Sequence, residues 1–117
     1  MATTVFQDTV AILTGVEFRP DFRPNDRFGP RGGSVRIRAV VVTGGVVGDI
    51  LETVFIGNTM VENRNRIPLE RAANAGIDNF TPAKEAAGLP HEVVDVRFQN
   101  TNAATRSVSY FIEVEDL

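Results

Sequence analysis

The chain has 117 residues, 43% hydrophobic and 23% charged, with a formal net charge of −3 and no cysteine. That length and composition suit one folded domain with a single core, and the missing Cys excludes a disulfide framework, thiolate nucleophiles and Cys-ligated zinc or iron–sulfur sites. The opening MATTVFQDTV has no basic or sustained apolar stretch, so no cleaved export signal is expected, and no apolar run approaches the roughly 18 residues of a membrane span.

Alternation of apolar and polar residues with period two marks half-buried strands. In TVAILTGVEF it puts Val10, Ile12, Val16 and Phe18 on one face, with Thr14 as the polar exception, and predicts a first strand. SVRIRAVVVT sets Val35, Ile37, Ala39 and Val41 against Ser34, Arg36, Arg38 and Val40, a strand that ends at Gly44-Gly45 and exposes two arginines on its outer face. ILETVFIG follows a Gly48-Asp49 turn, so a hairpin between these two strands is expected, with NTMVEN and NRIPL as a further short pair. Residues 69–90 are Ala-rich and carry helix punctuation: Thr81 as an N-cap, Pro82 at the first helical position, and Gly76 and Gly88 as stops. They predict two short helices or helical turns in an insertion. EVVDVRFQN then aligns Val94, Val96 and Phe98, and TRSVSYFIEVE aligns Val108, Tyr110, Ile112 and Val114, with TNAA as the hairpin connection between them. Short strands broken by Gly and Pro, with no βαβ repeat, predict an all-β, mainly antiparallel fold over residues 1–117: a β-sandwich or jelly-roll-like barrel with a short helical insertion around residues 69–90.

Chemistry-bearing patterns are sparse. The single histidine, His91, stands near Glu92 and Asp95, and one imidazole is too few for a metal site or a Ser-His-Asp arrangement. Glu113 and Glu115 share a strand face close to the C-terminus, where solvated charges are ordinary, and Asp95 with Arg97 reads as a surface pair. TGGVVGDI matches no phosphate-binding loop, and Asn79-Phe80-Thr81 matches the glycosylation triplet but is followed by Pro82. Neither an enzymatic role nor a cofactor or metal is expected.

The most distinctive stretch is FRPDFRPNDRFGPRGG, residues 18–33. Arginines 19, 23, 27 and 31 recur at a spacing of four, but Pro20, Pro24 and Pro30 forbid the helix that would align them. The segment should run extended, with turns near Pro24-Asn25-Asp26 and Gly29-Pro30. Residues 18–38 hold six Arg against Asp21 and Asp26, while the rest of the chain is acidic, so the molecule is expected to be electrically two-faced. Three uses compete for this arm. It could bind nucleic acid through guanidinium groups and stacked rings, a use disfavoured by the two acids and the acidic net charge. It could be an assembly arm with Phe and Arg anchors on a stiff backbone. Or its Phe residues could cover the domain's own core while its arginines pair with nearby acids.

The MATT start, the short cysteine-free β-rich domain, the proline-interrupted arm and the Ala/Asn/Thr-rich insertion together resemble small structural proteins of tailed-phage virions, of the capsid decoration or cement kind. The resemblance implies a non-enzymatic domain on the outside of a protein shell, bound to the major capsid protein or another virion protein, as a homo-oligomer bridged by extended segments and with no membrane partner. A head–tail or tail component and a nucleic-acid- or ligand-binding β-module are the alternatives. Phe22, Arg23, Arg27, Phe28 and Arg31 are the expected contacts, supported by the outward Arg36 and Arg38. Replacing Phe22 and Phe28 by Ala is then expected to abolish particle binding with thermal stability nearly intact.

Overall fold

In a computed structural model describing residues 2–23, 26–42, 44–73, 75–78 and 81–117, the alternating runs become eight strands. They are β1 (Ala2–Ile12), β2 (Glu17–Phe18), β3 (Gly33–Val41), β4 (Ile50–Ile56), β5 (Thr59–Arg66), β6 (Lys84–Gly88), β7 (Val94–Asn100) and β8 (Arg106–Asp116). Two four-stranded sheets result, ordered β1-β8-β3-β6 and β2-β7-β4-β5, and every pairing within them is antiparallel. Partners mirror one another about the middle of the chain: β4 pairs with β5, β3 with β6, β2 with β7 and β1 with β8. The chain is therefore a long doubled ribbon, bent at Gly57-Asn58 and rolled up into two facing sheets, which is the jelly-roll arrangement of a β-sandwich.

Period-two patterning decides what each strand buries. Val35, Ile37, Ala39 and Val41 of β3 face inward with Val108, Tyr110, Ile112 and Val114 of β8, opposite Ile50, Val54 and Ile56 of β4 and Val94, Val96 and Phe98 of β7. Burying each large side chain contributes about 1.5–3 kcal/mol. Tyr110 sits between the rings of Phe98 and Phe18, at centroid distances of 5.7 and 6.1 Å.

Four expectations need correction. Among the described residues no helix forms within 69–90; Lys84–Gly88 is instead strand β6, paired with Gly33–Ile37 of β3. The helix propensity of Lys-Glu-Ala-Ala yields there to the unpaired edge of β3, which needs main-chain partners. The first strand of the sequence reading is two strands in different sheets, because Gly15 (φ 73°) and the Val16 N–H to Leu13 carbonyl bond turn the chain sharply between β1 and β2. The connections after β3 and after β7 cross between the sheets, so neither Gly48-Asp49 nor TNAA closes a hairpin. NTMVEN and NRIPL do not pair with each other: Thr59–Arg66 is one strand, paired with β4. The turn expected at Pro24-Asn25 and the triplet at Asn79-Phe80 fall outside the described residues. No helix among those residues is long and apolar enough to cross a membrane.

Candidate functional site

The arm closes one side of the sandwich. It starts in β2, beside Phe98 and Gln99 of β7, and returns to the same neighbour at the Arg27–Val93 bridge. There the Val94 N–H donates to the Asp26 carbonyl at 2.7 Å and the Phe28 N–H to the Glu92 carbonyl at 3.0 Å. Between these anchor points the arm stands away from β7 and leaves a cleft of about 480 Å³, lined by Arg19, Asp21, Arg23 and Asp95 among others. Farther along, the Gly32 N–H donates to the Gly29 carbonyl, the turn expected at Gly29-Pro30.

Both proposed aromatic anchors point inward. Phe22 is 3% exposed and Phe28 1%, and both belong to the hydrophobic core. The Phe22 ring lies 5.4 Å from that of Phe6 on β1. Phe28 covers the paired glycines Gly33 and Gly88, where a Cβ on either would collide with its ring. These two residues are therefore not surface contacts. A sandwich whose edges leave apolar side chains open needs a cover, and the extended arm supplies it.

The arginines of the arm do not converge. Arg19 Nε donates to Glu17 at 3.2 Å, and Arg23 holds Asp21 by two bonds of 3.0 Å in full solvent. The Arg23 guanidinium, followed by its main-chain N–H, holds the Asp21 carboxyl below the usual carboxylate range. Arg27 donates to the His91 carbonyl at 3.0 Å, and Arg31 is exposed at a turn. Arg36 and Arg38 lie on the outer face of β3, half-buried; Arg36 pairs with Glu85 across the β3–β6 ladder, and the Arg38 Nε has no partner among the described residues. For Phe22, Phe28, Arg19 and Arg23, the covering use of the arm is the one observed.

A second surface was not read from the sequence. At one end of the sandwich, the turn after β1 and the connections after β3 and β7 are tied together by two buried side chains, Asn100 and Asp49. The Asn100 amide donates to the Ile12 and Ala104 carbonyls, both at 2.9 Å, and its oxygen accepts the Asn102 N–H at 2.8 Å. Asp49 accepts from the Val46 N–H, from the Asn102 amide and from Arg106 Nε, all at 2.9 Å. These donors, the Val46 N–H foremost, hold the Asp49 carboxyl below its ordinary range. On the loops so fixed, Leu13, Val16, Val46 and Val47 are exposed, at 64, 44, 60 and 54%. No protein family, curated protein or solved structure matches this chain.

The third feature is a crevice of about 280 Å³ at the opposite side of the sandwich from the arm, where Ile37, Ala39 and Ile67 meet Glu52, Glu62 and Lys84. Glu52 is 3% exposed and Glu62 7%, and one oxygen of each, Oε1, has no partner among the described residues. Burial, then the hydrogen bond to Glu62 and its charge, push the Glu52 carboxyl up to about 9, against a smaller opposing pull from Lys84. A carboxyl held that high keeps its proton at pH 7. Among the described residues no three His, Asp or Glu side chains converge as metal ligands. The signal for Glu52 was present in ILETVFI: it has the same parity as Ile50, Val54 and Ile56, the buried face of β4.

Proposed function

We propose that this chain is a structural protein of a virion, of the capsid decoration or cement kind, which binds the major capsid protein or copies of itself. The observation that carries the reading is the braced apolar loop end. Leu13, Val16, Val46 and Val47 offer aliphatic surface on loops already immobilised through Asn100 and Asp49, so docking loses little further conformational entropy. Exposed aliphatic side chains on loops braced in this way suit an interface with another protein. The jelly-roll strand order agrees with the reading without deciding it, since the same arrangement serves viral shells, lectins and cupins. Copies placed by shell symmetry would gain avidity from many modest contacts. The exposed guanidinium of Arg31 and the solvent-facing Arg23–Asp21 pair are available as polar contacts at the other end and side.

The test is electron microscopy of particles purified with and without the chain, and with the Val46→Asp/Val47→Asp variant. Added density at regular positions on the shell, lost in a variant that still melts like the parent, is the expected result. Density at the head–tail junction would assign the head–tail role instead. Particles unchanged by the chain, together with salt-sensitive binding to generic DNA or RNA, would transfer the protein to the nucleic-acid class.

A further inference from the structure

Strand β1 ends the order β1-β8-β3-β6, so among the described residues one of its sides carries no neighbour in the sheet. Its ladder with β8 shows which residues face that open side. The Val42 N–H donates to the Ser107 carbonyl, so the odd-numbered residues of β8 direct their main-chain groups to β3 and the even-numbered ones direct theirs to β1. In the β1–β8 register even residues oppose even, from Ala2↔Asp116 to Ile12↔Arg106. Thr3, Val5, Gln7, Thr9 and Ala11 therefore turn their N–H and carbonyl groups outward. The Thr9 N–H confirms the direction, because it is capped by the Asp8 carboxylate at 2.8 Å rather than by β8.

Edges of this kind are usually guarded by bulges, charges, proline or brevity. The other three edges of this molecule are. β5 is broken by register shifts, has Arg64 in a left-handed conformation (φ 49°) and carries Arg64 and Arg66; β6 has 5 residues including Lys84 and Glu85; β2 has 2 residues. β1 has 11 residues in unbroken register, no Pro, Lys or Arg, and one charge, Asp8.

We propose that β1 pairs antiparallel with β1 of a second copy of this chain across a two-fold axis at Gln7, joining two sheets into one. Gln7 is the midpoint of Ala2–Ile12, so this register overlaps the whole strand. It opposes Gln7 to Gln7, Val5 to Thr9 and Thr3 to Ala11, all of them outward-facing residues that can exchange main-chain bonds. The strand's lone charge, Asp8, then stands opposite Phe6, whereas a shift that opposes residue 8 to residue 8 sets two carboxylates together. The register also covers Val5, which is 46% exposed in the single chain. Forming the pair requires Asp8 to release the Thr9 N–H. The surface differs from the apolar loop end, and the pairing holds whether or not the chain belongs to a virion.

Gln7→Pro is the decisive variant. Proline removes an N–H that faces solvent and leaves the β1–β8 ladder intact, whereas at Phe6 it would break that ladder. Sedimentation velocity over roughly 1 to 200 µM should show a dimer in the parent, and a dissociation constant raised at least about tenfold in Gln7→Pro and in Gln7→Lys, which brings two cations onto the axis. Amide exchange in the parent dimer should slow at Val5, Gln7 and Ala11. Circular dichroism checks that Gln7→Pro is folded; if it is not, Gln7→Lys decides. A monomeric parent, a dimer that survives in folded Gln7→Pro or in Gln7→Lys, or unprotected amides at those three positions would each overturn the proposal. The Val46→Asp/Val47→Asp variant should dimerise like the parent, which separates failure of this pairing from failure of the loop end.

Discussion

Phe28 lies across the Gly33–Gly88 pair with 1% of its surface exposed, so truncating it leaves a hole between two backbones that cannot close. Phe28→Ala should cost about 3–5 kcal/mol, a large share of the stability of a domain this size, measured by urea denaturation. A loss below about 1 kcal/mol would mean that the ring is dispensable to the core. Gly88→Ala acts from the other side: its methyl group would overlap the ring, and Phe28 must move or the β3–β6 pairing must open. At Glu52 the consequence is a dependence on pH. The folded carboxyl keeps its proton to about pH 9 and the unfolded one releases it near 4.5, so between those values the unfolded state binds fewer protons and stability falls as pH rises. The decline is at most about 1.4 kcal/mol per pH unit. Glu52→Gln preserves the neutral, uncharged form and should flatten it, making the variant the more stable protein at pH 8. Equal slopes for both proteins in denaturation series at pH 5, 6.5 and 8 would contradict this account.

Asn100 acts on the scale of elements, because its one amide joins the end of β1 to the connection between β7 and β8. Asn100→Leu keeps the volume, takes one donor from each of the Ile12 and Ala104 carbonyls and leaves the Asn102 N–H without its acceptor. A loss of about 2–4 kcal/mol is expected, with faster amide exchange confined to residues 13–16 and 101–105. Strands β3, β4, β7 and β8 were legible in the sequence because their alternation is local and their inward residues, such as Val35, Val54, Val96 and Ile112, are apolar apart from Glu52 in β4 and Asn100 at the end of β7. The sheet each strand joins was not legible. Gly48-Asp49 and TNAA look like hairpin turns, yet whether the following strand pairs or crosses over depends on partners far along the chain. Lys84–Gly88 was misread for the same reason: alanines favour a helix in isolation, and only the presence of β3 makes them an edge strand. The arm's extended path followed from its prolines, but which way Phe22 and Phe28 point depends on the open side they cover. Asn100 follows Val94, Val96 and Phe98 at the same parity, and a polar residue ending an inward-facing run was the one local trace of the braced loop end.

For the molecule as a whole, mirrored pairing orders the contacts by sequence distance. The β4–β5 hairpin is local, and β3 with β6, β2 with β7 and β1 with β8 span ever longer loops whose closure costs entropy. Folding in milliseconds to seconds is expected, with a nucleus near the hairpin. In stopped-flow chevrons Val54→Ala should slow folding, while Val10→Ala should mainly hasten unfolding; the reverse would place the nucleus at the β1–β8 ladder. The same ordering bears on synthesis. β8 is made last of the eight strands yet lies between β1 and β3, so the ribosome must pass residue 116 before one sheet has its middle. Until then β1 is a finished strand without a place to go, waiting at a ribosome beside other copies of itself on neighbouring nascent chains. The interval between making β1 and making β8 is when exchange between chains competes with closure within one, and it lengthens wherever translation pauses.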